Sequence, residues 1–178
     1  MRLAILAALL AAAPALAEPL DLPGTLNPDE LSLDSVIERA SRGEVDMMTC
    51  AQGYLVTKQG DHVDARAIFE ACAAAGWTGA MTWMSQLDAN GLGAPEDPAA
   101  AADWSRRAAA MGDAVAQFNH GLDLLRGYGV ARDVQAGRRL VDQAAEAGLG
   151  DARRLQAADY DPSAVTPDSD EWKYMRWF

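Results

Sequence analysis

Along most of this chain apolar residues recur three and four positions apart, which is the spacing of one helical face. Leu33, Val36, Ile37 and Ala40 make such a face within "NPDELSLDSVIERASRG", residues 27–43. Asn27 reads as its N-cap, Pro28 suits the first helical position, and Glu30 completes a capping-box pattern. Further on, Trp104, Ala108 and Met111 fall on one side of a helix and Asp103, Arg106 and Arg107 on the other. No stretch alternates apolar and polar residues for long enough to be a strand. The pattern predicts an all-α protein.

The helices come in repeating pairs. Residues 76–112 laid on residues 112–148 agree at an offset of 36: Ala80 with Ala116, Gly91 with Gly127, Gly93 with Gly129. Asp97 then meets Asp133, Ala100 meets Ala136, Ala108-Ala109 meet Ala144-Ala145, and Gly112 meets Gly148. A divergent earlier unit, residues 43–76, keeps the offset in its second half (Asp61, Ile68, Cys72, Gly76) and has a shorter first half. Each unit parses as helix, turn, helix. Gly127 ends a first helix, and Asp133 caps the second. The Asp97-Pro98 step is the clearest N-cap signal of the three. Units of this kind bury their apolar faces only against their neighbours, so the sequence predicts an α-solenoid of about three helix-turn-helix repeats. Its expected parts are a cap at 27–42, repeats at 43–75, 76–111 and 112–148, and a closing helix at 149–159.

The pattern of Ala, two spaced glycines, Val-x-x-Asp and then Ala-Ala-x-x-Gly resembles the Sel-one-like repeat (SLR) of the tetratricopeptide-like superfamily. Residues 116–148 carry it through Ala116, Asn119, Gly121, Gly127, Gly129, Val130, Asp133, Ala144, Ala145 and Gly148. The preceding unit carries it through Ala80, Gly91, Gly93, Asp97, Ala101, Trp104, Ala108, Ala109 and Gly112. Three positions depart from it: His120 stands for a Leu, Asp88 for a packed aromatic, and Ser85 for a helix-packing Gly. The resemblance implies a protein–protein interaction scaffold whose first helices line the binding surface. Asn119 matches an Asn that clamps peptide backbones in tetratricopeptide-like proteins; Trp83 and Thr49 stand in its place in the other units. Asp123 and Arg126, with Thr82 and Gln86, are expected to share that face.

Composition sets the compartment and narrows the partners. "MRLAILAALLAAAPALAE" places Arg2 before an apolar run and Ala15-x-Ala17 after it. That is the form of a secretory signal peptide, residues 1–17, with cleavage expected after Ala17 and export to the periplasm or medium. The run is too short for a membrane span of about 20 residues. Residues 18–26 form an N-terminal extension. The formal charge is −11, and losing Arg2 makes it one unit more negative, so nucleic acid and anionic lipid are poor partners.

Cys50 and Cys72 are the two cysteines of the chain. In an oxidising compartment such a pair is expected to form a disulfide. They lie equidistant from position 61, where the first hairpin should turn, which sets them level on facing helices. Zinc would need more ligands than the nearby His62. The resemblance agrees, since some exported relatives staple their hairpins with cysteines.

Catalytic patterns are sparse. Lys58 and Lys173 are the only lysines, and neither completes Ser-x-x-Lys; no Gly-x-Ser-x-Gly or His-Glu-x-x-His occurs. His62 is expected as a solvated turn residue, and His120 as a satisfied core histidine. Asp61, Asp97 and Asp133 each head a helix, so capping accounts for them. The reading is a non-enzymatic scaffold with a protein or peptide partner in the envelope and no cofactor or metal. Its alternative is an exported hydrolase acting on cell-wall or β-lactam substrates. Lastly, residues 160–178 read as a Pro/Ser/Asp linker and an aromatic tail, "EWKYMRWF", with Trp172, Tyr174, Trp177 and Phe178. Such a cluster either folds back on the last repeat or groove, or docks on another envelope protein.

Overall fold

The structure is a computed structural model and describes residues 32–165. These form eight α-helices and one 3-10 helix, with no strand among them. The helices are α1 (Leu33–Ser41), α2 (Met47–Gln59), α3 (His62–Ala74), α4 (Thr78–Ala89), α5 (Pro98–Ala110), α6 (Ala114–Arg126), α7 (Val134–Glu146) and α8 (Gly150–Ala157). The pairs α2–α3, α4–α5 and α6–α7 are the three expected repeats. Each later first helix also packs on the second helix before it, α4 on α3 and α6 on α5. This neighbour-only contact pattern is that of an α-solenoid.

Aspartates start most of these helices. Asp61 accepts from the Asp64 amide at 3.3 Å, Asp97 from Ala99 and Ala100, and Asp133 from Ala136 at 2.9 Å. Asp46 and Asp113 cap the first helices α2 and α6 in the same way, a use the repeat pattern alone did not single out. Asn27, Pro28 and Glu30 lie outside the described residues. The helix itself starts later than expected, at Leu33, with the Ser32 hydroxyl accepting from the Ser35 amide.

The glycines of each turn do more than end a helix. Gly127 takes the left-handed conformation at φ +73° and caps α6, as its position suggests. Gly129, at φ +64°, has a second constraint: a Cβ there would sit 1.8 Å from the carbonyl oxygen of Pro98. One repeat earlier, a Cβ on Gly93 would sit 2.6 Å from the carbonyl oxygen of His62. Positions 62 and 98 are themselves one repeat apart. Each turn therefore rests on the first residue of the preceding second helix, and glycine is the residue that permits so close an approach. The tightest constraint on Gly129 is thus this contact between repeats.

Inside the hairpins the helices approach through small residues. In the last repeat Gly121 and Gly137 face one another: a Cβ on Gly137 would be 2.8 Å from the Gly121 carbonyl oxygen. In the middle repeat Ser85 takes the place of Gly121, and its hydroxyl bonds that of Ser105 at 2.8 Å in the core. In the first repeat Gly53 leaves room for the Phe69 ring.

The first hairpin turns on Gly60 and Asp61 alone, where the later ones use residues 90–97 and 127–133. Across it the Cys50–Cys72 disulfide joins α2 to α3, with Cα atoms 6.0 Å apart and both residues buried. Level placement about position 61 is thus met. Closing a loop of this length contributes about 3 kcal/mol on the chain-entropy account. Cys50→Ala/Cys72→Ala is expected to unfold about 3 kcal/mol more easily, and a reductant should produce the same shift in the disulfide-bonded protein, both read from urea titrations.

Candidate interaction surface

The first helices α2, α4 and α6 contribute the face that the repeat pattern marks for binding. Tyr54 of α2 meets Trp83 of α4 edge-on, with ring centroids 5.4 Å apart. Trp83 also stacks on Phe69 at 5.9 Å. The Lys58 ammonium sits 5.1 Å from the Tyr54 centroid and 5.7 Å from that of Trp83. A cation held over two rings gives this end of the face a positive charge on an aromatic base. The Trp83 indole N–H is buried without a hydrogen-bond partner.

One repeat on from Trp83 stands Asn119, which is 4% exposed. It heads a stripe on α6 with Asp123 and Arg126 at the i, i+4, i+7 spacing of one helix face. Thr49 is fully buried, its hydroxyl accepting from Arg39 at 2.9 Å. Thr82 is buried as well, donating to the Thr78 carbonyl. Gln86 is half-buried, and its carbonyl accepts from the Asn90 amide group at 2.8 Å.

Arg126 is engaged by the chain itself. Its guanidinium donates to the Pro162 carbonyl at 2.6 Å and the Val165 carbonyl at 3.1 Å. Residues 160–165 were expected to begin a linker, but they pack against the last repeat. Tyr160 donates to Asp142 at 2.5 Å under the Arg138 guanidinium, the short 3-10 helix at Pro162–Ala164 touches α6 and α8, and Val165 is buried in the core. The acceptors that hold Arg126 are main-chain carbonyls, which leave no mark in the sequence. Trp172, Tyr174, Trp177 and Phe178 lie outside the described residues.

The two histidines differ from expectation. His120 is buried, yet its Nδ1 has no hydrogen-bond partner, and the nearest carboxylate oxygen, on Asp123, is 3.9 Å away. His62 begins α3 beneath Gly93, half-buried, with Nδ1 also buried and unpartnered. His120 and Asp123 occupy the positions that Met84 and Leu87, both fully buried, fill one repeat earlier. The apolar core breaks at this point into one cluster centred on α2–α4 and another on α6–α8.

Burial pushes the Asp123 carboxyl above its usual range, against the lowering effects of His120 and Arg126. A raised folded-state pKa means that stability is fully present below the unfolded value and is lost as pH rises through the folded one. Asp123→Asn is therefore expected to raise Tm by about 2 °C at pH 7 and to leave it unchanged near pH 3, as thermal melts at the two pH values would record.

An ion pair joins the first two repeats. Arg66 of α3 donates to Asp88 of α4 at 2.6 Å, and Asp88 is 4% exposed. The Arg66 guanidinium also reaches the Leu92 carbonyl, and the Asp88 carbonyl accepts from the Asp97 amide. Asp88 thus answers its departure from the repeat pattern with a charged partner 22 residues earlier. Among the described residues, no group of three or more His, Cys, Asp or Glu side chains could hold a metal ion, and no helix is long and apolar enough to cross a membrane.

Helix pairs of 36-residue spacing, stapled by small residues and docked turn to helix, define a tetratricopeptide-like α/α repeat protein. The Sel1 repeat model matches residues 78–113 and 114–149, which are α4–α5 and α6–α7 with their turns. The chain thus carries two Sel1 repeats, over residues 78–149. It is similar to a solved Sel1 repeat protein from Oxalobacter formigenes, with 26% identity over 70% of this chain and 97% of that one, at a TM-score of 0.58. It shares the fold of a protective antigen of uropathogenic Escherichia coli described as displaying an SLR fold. There identity is 19%, coverage 82% of this chain and 37% of the antigen, and the TM-score 0.53. No curated protein matches the chain in sequence.

Proposed function

We propose that this protein is an exported, non-enzymatic scaffold, an adaptor or regulator that holds a protein or peptide partner in the bacterial envelope. Sel1 repeats are in general protein–protein interaction modules, and their match over residues 78–149 is the observation that carries the reading. Export rests on the signal-like residues 1–17, and the Cys50–Cys72 disulfide suits an oxidising compartment. The partner is expected on the first-helix face, where half-buried Tyr54, backed by the buried Trp83 ring, lies under the Lys58 cation. The test begins with capture from an envelope fraction and ends with purified components. A partner that binds in pure form, and about tenfold more weakly to Tyr54→Ala/Lys58→Ala, supports the proposal. Binding indifferent to that substitution moves the partner to another face. Recovery of the unprocessed chain from the cytoplasm overturns the assignment to the envelope.

A further inference from the structure

After the third repeat the chain begins a unit that it does not finish as the others do. Helix α8 stands one repeat on from α6, with Ala152 at the place of Ala116 and both fully buried. Yet α6 runs on to Arg126, whereas α8 stops at Ala157, the position that corresponds to Gly121. Residues 158–165 then follow a path of turns and the short 3-10 helix. They cover the span that the end of a first helix and its glycine turn occupy in the repeat before. Val165 stands one repeat on from Gly129 and is buried in an apolar cluster against which Val134, the first residue of α7, also packs.

This strap is seated as a bound peptide is. Tyr160 donates to Asp142 of α7, a carboxylate that Gln156 of α8 also reaches at 2.6 Å. Arg126 of α6 donates to the main-chain carbonyls of Pro162 and Val165, and the Val165 side chain enters the core. Between these anchors Asp161, Ser163 and Ala164 are exposed. Main-chain hydrogen bonds give such a seat its hold, and spaced side-chain sites give it selectivity. The root of the strap is strained. Asp159 at φ +50° and Tyr160 at φ +60° are the non-glycine residues with positive φ among those described. L residues take that backbone at a penalty, a bulky one most of all. The contacts of the strap have to outweigh this strain, and release removes it.

We propose that this seat is a peptide groove which the chain fills with its own residues 160–165, and that an extended segment of a partner displaces them. The ligand class follows from the present occupant: a tyrosine, an apolar β-branched residue five positions on, and small or polar residues between. The tyrosine supplies the hydroxyl that Asp142 accepts, whereas carbonyls for Arg126 come with any sequence. Arg126 is the last member of the stripe that Asn119 and Asp123 begin on α6, so the groove continues the first-helix face at its far end. The inference deepens the partner reading above and rests on it for the existence of a partner. The groove itself is tested with the chain's own hexapeptide, so a missing partner and a missing groove give different results.

Both cysteines of the chain are in the disulfide, so Val165→Cys places one free thiol under the strap. The rate at which a thiol reagent labels it in the full chain reports strap opening. Val141→Cys, fully buried in the same cluster, is the reference for unfolding of the helices. Position 165 is expected to label at least about a hundredfold faster than position 141, because the strap opens while the repeats stay folded. Asp159→Gly should slow labelling at 165 about threefold, since glycine takes φ +50° without the penalty, whereas general damage to the fold would speed it. The hexapeptide YDPSAV is then added to the Val165→Cys chain that also carries Tyr160→Phe, which weakens the strap and leaves Asp142 in place. At millimolar concentration, about that of a tethered segment, it should raise the rate saturably and at least about fivefold. The peptide FDPSAV should raise it far less. Equal rates at 165 and 141 would make the strap a fixed cap and overturn the proposal. So would a rate indifferent to YDPSAV, or one raised equally by both peptides.

Discussion

Gly129→Ala is expected to cost more stability than any other single methyl group added to this chain. Two terms combine at that position. The left-handed backbone at φ +64° penalises any L side chain by about 1–2 kcal/mol. The added Cβ would also lie 1.8 Å from the Pro98 carbonyl oxygen, a backbone atom at the start of α5 that cannot swing aside. Relief requires the turn to lift off α5, which breaks the seat of the third repeat on the second. A loss above about 4 kcal/mol is expected, in the range where single substitutions become exceptional. Gly112→Ala is the control. It shares the left-handed conformation, at φ +86°, but its Cβ would meet nothing within 4 Å, so about 1 kcal/mol is expected there. Urea titration of the two variants checks the difference. Equal losses would show that the turn does not bear on the preceding repeat.

Asp88→Ala comes second in size. It leaves the Arg66 guanidinium facing a buried site without its carboxylate, and removing one partner of a buried ion pair costs about 3–5 kcal/mol. The double variant Arg66→Met/Asp88→Leu removes both charges and should recover most of that loss, since apolar replacement of a buried pair is often neutral or better. Chemical denaturation of the single and double variants gives the coupling directly. If the double variant were as unstable as the single one, side-chain volume and not charge would be what Asp88 supplies.

The architecture was legible because the repeat writes itself twice at a fixed offset. Gly91, Gly93 and Asp97 return as Gly127, Gly129 and Asp133, and helix pairs with those caps have one way to stack. The disulfide followed from two cysteines placed evenly about the Asp61 turn. The role of Gly129 was not legible, since what it meets is a carbonyl, and every residue carries one. Asp88 stood out as a departure from the repeat, but its partner lies in a different repeat unit, where no periodicity points to it. Likewise, Asn119, Asp123 and Arg126 follow from helical spacing, whereas the capture of Arg126 by the Pro162 and Val165 carbonyls depends on how the chain returns after α8. His62 and His120 were misjudged for one reason: position in a turn or on an apolar face says nothing about whether an acceptor arrives.

On the function proposed above, the first helices of this solenoid meet a protein partner. Photo-crosslinking in growing cells tests it most directly, with a photoreactive residue at Gln86 on α4 and, separately, at the exposed Arg106 on α5. A discrete adduct is expected from position 86 and none from position 106, with a partner that also binds the purified protein. An adduct from position 106 and none from position 86 would contradict it.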